Sequence, residues 1–137
     1  MNKAIVIDTN GYSAFKRGDS EAVRLIHSAQ TVVVTSIVLG EILAGFRLGK
    51  NKETNHKELE AFLSDPKVFF LAINAQTAEE YANIYLELRQ KGTPIPTNDM
   101  WIGAVSRQLG IPVFTLDKHF SKIDNLKIIR TEGELGA

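Results

Sequence analysis

Lys3-Ala4-Ile5-Val6-Ile7-Asp8-Thr9-Asn10 holds four consecutive apolar residues that stop at an acid. A short unbroken apolar run bounded by polar residues suits a strand buried on both faces, as in a parallel sheet. The stretch therefore predicts a central first strand with a carboxylate at its carboxyl end. The chain beyond it alternates in the same sense. Residues 31–35, Thr-Val-Val-Val-Thr, form a β-branched strand. Residues 68–73, 112–115 and 126–129 supply three more short apolar runs.

Helical patterns fill the intervals. Residues 10–16 predict a short helix closed by Gly18, and residues 20–29 a longer one with Ala22, Leu25, Ile26 and Ala29 on one face. Ser36 is placed to cap a helix that runs to Leu48 and ends at Gly49. Residues 51–65 turn Leu59, Phe62 and Leu63 inward and stop at Pro66. Thr77-Ala78-Glu79-Glu80 has the capping-box form, and the stripe of its helix is Tyr81, Ile84, Tyr85 and Leu88 up to Gly92. Thr97 or Asn98 caps the next helix after the stiff loop 93–96, and Ile102, Val105 and Leu109 line it as far as Gly110. Strands alternating with helices argue for an α/β fold. The expected form is a three-layer α/β/α domain around a mostly parallel sheet, joined by right-handed crossovers.

Composition narrows the class. The 137 residues include 16 Lys+Arg, 16 Asp+Glu, three His and no Cys, with 44% hydrophobic and 23% charged. That suits one globular domain over residues 1–137 and excludes disordered, collagen-like and disulfide-scaffold chains. Thiolate metal sites and cysteine nucleophiles are excluded as well. No apolar run approaches the roughly 18 residues a membrane span needs. The apolar run 4–7 is too short for a secretory core, so a cytoplasmic location is expected. Charge balances within each half: nine basic and eight acidic groups in residues 1–68, seven and eight in residues 69–137. A general nucleic-acid coat protein would be basic, so any nucleic-acid contact must be local. Phosphate-loop and dinucleotide fingerprints are missing, and no nucleotide cofactor is expected.

The acids carry the chemistry. In open parallel sheets ligands bind beyond the carboxyl ends of the strands. Crossover helices run antiparallel to the strands, so their N-termini sit at that same edge. Asp8 ends the first strand, and Asp117 lies two residues past Thr115, where the fourth ends. Asp99 opens a helix, and Glu41 lies about one and a half turns into another. All four are expected at one edge, each beside apolar sequence where a bare carboxylate is costly. Two carboxylates about 4 Å apart repel by roughly 4 kcal/mol at an effective dielectric near 20. Either some hold protons, or a cation sits among them. Oxygen donors without Cys suit Mg²⁺ or Mn²⁺ better than Zn²⁺. Such an ion can acidify a water for attack on a phosphodiester and stabilise the leaving oxygen.

Asp8-Thr9-Asn10, Glu41 within Leu39-Gly40-Glu41-Ile42-Leu43-Ala44-Gly45, Asn98-Asp99, and Thr115-Leu116-Asp117-Lys118-His119-Phe120 together resemble the PIN-domain family. More closely, they resemble the VapC-type ribonuclease toxins of toxin–antitoxin pairs. The resemblance covers essentially the whole chain in length, element order and motif spacing. It implies a five-stranded parallel sheet between helices, and a Mg²⁺- or Mn²⁺-dependent endoribonuclease that attacks with water. It maps the family's catalytic and metal-binding acids onto Asp8, Glu41, Asp99 and Asp117. Asn10 matches a supporting polar group, and Thr115 a hydroxyl behind the acids. A homodimer and a small antitoxin partner are implied too. One position departs: many relatives carry a further acid where this chain has His119.

Other readings stand beside these. Asp8 can serve as a helix cap, Asp99 can gain from a helix dipole, Asp117 can be a turn residue, and Glu41 can lie on a polar outward face. Lys16, Arg17, Arg47, Lys50 and Lys118 are candidates to line an RNA backbone. His27 reads as solvated, His56 as flanking a buried stripe, His119 as near the site, and Trp101 as core. Leu39, Leu43 and Phe46 could face a partner chain, an antitoxin or the core. An aspartate-nucleophile phosphatase would want a second Asp where Asn10 stands. A catalytically silent PIN-like scaffold would bind RNA or protein without using the acids.

Overall fold

The first strand forms where the apolar run predicts it, as β1 (Ala4–Ile7), and all four of its residues are buried. The computed structural model describes residues 3–136. Asp8 turns the chain directly into α1 (Thr9–Lys16), and Gly18, at φ +80°, supplies the left-handed residue that swings it into α2 (Ser20–Ser28). Then come β2 (Thr31–Thr35), α3 (Ser36–Leu48), α4 (Lys52–Leu63) and β3 (Val68–Leu71). The chain continues through α5 (Ala75–Lys91), α6 (Thr97–Leu109), β4 (Val113–Phe114), a 3₁₀ turn at His119–Lys122 and β5 (Ile128–Ile129).

The five strands form one sheet in the order β3-β2-β1-β4-β5, every pair parallel. From β1 the chain steps outward to β2 and β3, then returns through α5 and α6 to lay β4 on the other side of β1. Right-handed crossovers put α1 to α4 on one face and α5 with α6 on the other. The expected three layers are present. The direction of winding reverses between β1 and β4, and such a switch opens a crevice at the strand ends. Ile7 pairs with Phe114, so the next residues, Asp8 and Thr115, leave the sheet side by side.

The helices on the far face are pinned by specific contacts. Tyr81 and Trp101 stack at 4.1 Å between centroids. Arg107 reaches Glu80 and Glu87 from α6, and the buried Thr77 hydroxyl donates to Gln108. Trp101 therefore serves packing, but it is only partly buried.

Three helix starts differ from the expectation. The cap of α3 is Thr35, whose Oγ1 accepts from the Val38 N–H; Ser36 instead accepts from the Ile73 N–H. The capping box of α5 pairs Asn74 with Thr77, one turn earlier than Thr77-Glu80. Pro96, with no polar side-chain atom, takes the cap position of α6, and the Asn98 amide donates to Glu41. At α3 and α5 a partner distant in sequence decides which polar group is spent on the helix end. Tyr85 and Leu109 are exposed rather than inward, and Phe69 and Phe70 lie on the edge strand, more than half exposed. Leu39, Leu43 and Phe46 pack against the core. Among the described residues no helix is long and apolar enough to cross a membrane.

Candidate active site

Four elements deliver one acid each to a cleft of about 240 Å³ beyond the carboxyl ends of β1 and β4. Asp8 comes from the end of β1, Glu41 from α3, Asp99 from the first turn of α6, and Asp117 from the loop after β4. Thr9, Asn10, Asn98 and His119 complete its polar lining.

Asp8 is both cap and site residue. Its Oδ1 accepts from the Gly11 N–H at 2.6 Å, and its Oδ2 accepts from the Thr115 hydroxyl at 2.5 Å. Only 3% of Asp8 is exposed. Burial pushes its carboxyl up from 3.8 to about 6; the two hydrogen bonds oppose this, and the nearby charges of Asp99 and Asp117 add to it. Asp99 is buried too, and its pKa is raised, first by burial and then by Asp117 and Glu41, against a lowering contact with His119.

Glu41 is held at both oxygens. The Thr9 hydroxyl donates to Oε1 at 2.7 Å, and the Asn98 amide donates to Oε2 at 2.6 Å. Two other helices thus fix the carboxylate that α3 projects. Asp117 is fixed by its loop: its backbone N–H donates to Thr115 Oγ1 at 2.8 Å, and its Oδ1 accepts from the His119 N–H at 2.9 Å. The His119 ring folds back so that Nδ1 lies 2.8 Å from Asp99 Oδ2 and 3.0 Å from Asp117 Oδ1.

Thr115, fully buried, bonds to Asp8 and carries Asp117 as well. Asn10 lines the cleft from an exposed position but makes no hydrogen bond to the acids. Among the cations, Lys16 lines an adjoining groove that shares Thr9 and Glu41 with the cleft, and it pairs with Glu58 at 2.9 Å. Arg47, exposed, donates one guanidinium nitrogen to the Leu43 carbonyl near the end of α3. Arg17 and Lys50 are exposed, and Lys118 precedes the turn that carries His119. His27 is exposed, and His56 packs edge-on to Phe46.

Sequence reasoning missed Thr9 and Asn98 as the groups that hold Glu41. Each stands next to a cleft acid, Asp8 or Asp99, and that adjacency was the available signal. It also underrated His119, which is in contact with two of the acids.

The donor set fits a hard divalent cation. Asp99, Asp117 and His119 each offer one ligand atom, and these lie within 4.8 Å of one another. Buried carboxyls whose pKa values are lifted by burial and mutual repulsion are the condition a bound cation relieves. Asp8 and Glu41 face the same cleft with oxygen donors already oriented.

A family profile of the PIN domain matches residues 5–126. The chain is 32% identical over 126 residues to Ribonuclease VapC2 of Rickettsia felis, covering 88% of this chain and 92% of that protein. Its fold is similar to the crystal structure of VapBC2 from Rickettsia felis bound to a DNA fragment from their promoter. There the TM-score is 0.80 at 27% identity, over 92% of this chain and 97% of that one. It is also similar to DNA-bound VapBC from Salmonella typhimurium, with a TM-score of 0.82 at 27% identity, over 94% and 98% of the two chains.

Proposed function

This chain belongs to the PIN-domain family, and from that premise we propose that it is the endoribonuclease toxin of a toxin–antitoxin pair, cleaving RNA with a divalent cation held by its clustered carboxylates. The observation that carries this reading is the convergence of Asp8, Glu41, Asp99 and Asp117, from four separate elements, on one cleft at the switch point of the sheet. Similarity to a ribonuclease and to VapBC complexes supports the activity and a small antitoxin partner. The same reading includes a homodimer.

Asp8, Asp99, Glu41 and Asp117 are the residues assigned to hold the ion, Mg²⁺ or Mn²⁺. Once bound, the cation supplies positive charge for the phosphate in the transition state and lowers the pKa of a water. The chain's own groups prepare that site. Gly11 and Thr115 lock the Asp8 carboxylate in one orientation, so no reorganisation is required on binding. Thr9 and Asn98 do the same for Glu41. Thr115 ties Asp8 to the Asp117 loop, so the acids from β1 and β4 keep their spacing. Asn10 lines the same cleft and is assigned a supporting role beside the acids. Lys16, Arg17, Arg47, Lys50 and Lys118 are assigned to the RNA backbone, Lys16 from the adjoining groove that shares Thr9 and Glu41 with the cleft.

The test is incubation of the purified chain with RNA, with Mg²⁺ or Mn²⁺ and with chelator. Cleavage is expected with the ion and is expected to vanish with chelator and in Asp99→Asn. Cleavage that persists in chelator would remove the proposal.

A further inference from the structure

His119 stands in the cleft where a carboxylate would make the donor set all-oxygen, and its ring is turned inward toward the acids. Nδ1 lies 2.8 Å from Asp99 Oδ2 and 3.0 Å from Asp117 Oδ1. Neighbouring ligands on an octahedral ion with bonds of about 2.1 Å are separated by roughly 3.0 Å. The imidazole nitrogen therefore already stands at the spacing of an adjacent ligand from each carboxylate oxygen. Two features hold it there. The His119 N–H is bonded to Asp117 Oδ1, so residue and acid turn as one unit, and Phe120, fully buried, anchors the next position. The side chain is 41% exposed; Nδ1 faces the carboxylates at hydrogen-bond distance, and an ion entering the cleft would take the place of that bond's proton.

We propose that His119 is a direct nitrogen ligand of the catalytic cation, so that the site combines one imidazole with carboxylates and prefers Mn²⁺ to Mg²⁺. The inference rests on the metal-dependent reading above and sharpens it. Imidazole suits transition ions, whereas Mg²⁺ is bound through oxygen and keeps its waters. Replacing one carboxylate by a neutral ring also lowers the negative charge of the pocket, which weakens the electrostatic hold on Mg²⁺ more than the partly covalent hold on Mn²⁺.

The experiment is pulsed EPR on the full chain loaded with one equivalent of Mn²⁺, together with Mn²⁺ and Mg²⁺ affinities by competition. The wild-type spectrum is expected to carry ¹⁴N modulation from a coordinated imidazole, lost in His119→Asn. His119→Asp is expected to lower the ratio of Mn²⁺ to Mg²⁺ affinity about tenfold or more. Mn²⁺ bound without a nitrogen signal that depends on His119, or an unchanged ratio in His119→Asp, would overturn this proposal and leave the nuclease reading standing. Failure of the wild-type chain to bind Mn²⁺ at all would overturn both.

Discussion

The hydroxyl of Thr115 donates to Oδ2 of Asp8 across 107 positions of sequence, at 2.5 Å and away from solvent. The Thr115 Oγ1 in turn accepts the Asp117 N–H. One small side chain thus joins the acid that ends β1 to the loop that follows β4. Thr115→Val, which keeps the shape and removes the hydroxyl, should cost about 1–3 kcal/mol in denaturant unfolding. It should also move the acid limb of the pH–rate profile upward, because the hydrogen bond now lowers the Asp8 pKa. Thr115→Ser should restore both. A Thr115→Val profile superimposable on wild type would show that the hydroxyl has no influence on Asp8.

Asp8 sets the pH behaviour. Its folded pKa, about 6, lies above the ordinary 3.8. Between those values the folded chain holds a proton that the unfolded chain has released. In the cation-free protein, this group therefore makes stability fall as pH rises from 4 to 6, with no further loss above 6. The full effect is roughly 3 kcal/mol. Thermal melts in chelator should show Asp8→Asn at least as stable as wild type at pH 7.5, with that slope removed. Catalysis runs the opposite way: at subsaturating ion, RNA cleavage should fall as pH drops below about 6, because the Asp8 proton competes with the ion, and saturating ion should move that limb to lower pH.

Glu41 depends on its two donors. Removing a hydrogen bond to a charged group costs about 1.5–3 kcal/mol. Asn98→Ala or Thr9→Val should therefore lower the melting temperature by a few degrees and, by loosening Glu41 in the cleft, lower kcat/KM about tenfold or more. The check is steady-state RNA cleavage alongside calorimetry; a fall in stability with unchanged kcat/KM would reverse the assignment.

Gly11 leaves no room for a side chain. A Cβ there would lie 3.0 Å from both the Phe114 ring and the Phe114 carbonyl, and 3.1 Å from Asp8 Oδ1. Backbone and a pinned acid cannot yield as a flexible chain end would. Gly11→Ala should cost about 1–3 kcal/mol and impair cleavage, whereas Gly40→Ala on α3, with open space around it, should be tolerated. Chemical denaturation of the two variants side by side makes the comparison.

Ion binding should stabilise the folded chain. At one hundred times the dissociation constant the gain is about 2.7 kcal/mol. A rise in melting temperature with Mn²⁺ is expected in wild type and should be largely absent in Asp99→Asn, because the unfolded chain has no assembled site. An equal rise in both would place the ion elsewhere.

Much of this was legible in one dimension. The apolar run 4–7 and the β-branched run 31–35 marked buried strands, because continuous hydrophobicity needs no knowledge of partners. Asp8, Glu41, Asp99 and Asp117 could be assigned to one edge from their places in the elements, since strand ends and helix starts share that edge in any parallel α/β sheet. Less accessible were choices among equivalent polar residues. Thr35 rather than Ser36 caps α3, and Asn74 rather than Thr77 opens α5. Ser36 is bonded to Ile73, and Asn98 is drawn to Glu41. Periodicity cannot register such competition.

The order of polar and apolar residues alone determined the alternation of elements, the layered α/β architecture and the edge at which the acids gather, because those follow from local spacing. The tertiary structure alone decided that Thr9 and Asn98 grip Glu41, that Thr115 links Asp8 to Asp117, and that His119 turns inward between Asp99 and Asp117. The Thr115–Asp8 contact exists because the order β3-β2-β1-β4-β5 sets β4 against β1, which brings residues more than a hundred positions apart to adjacent strand ends; the others need α1, α3 and α6 to meet at that same edge. A hydrogen bond acts over about 3 Å, a distance that only the folded arrangement of strands can set.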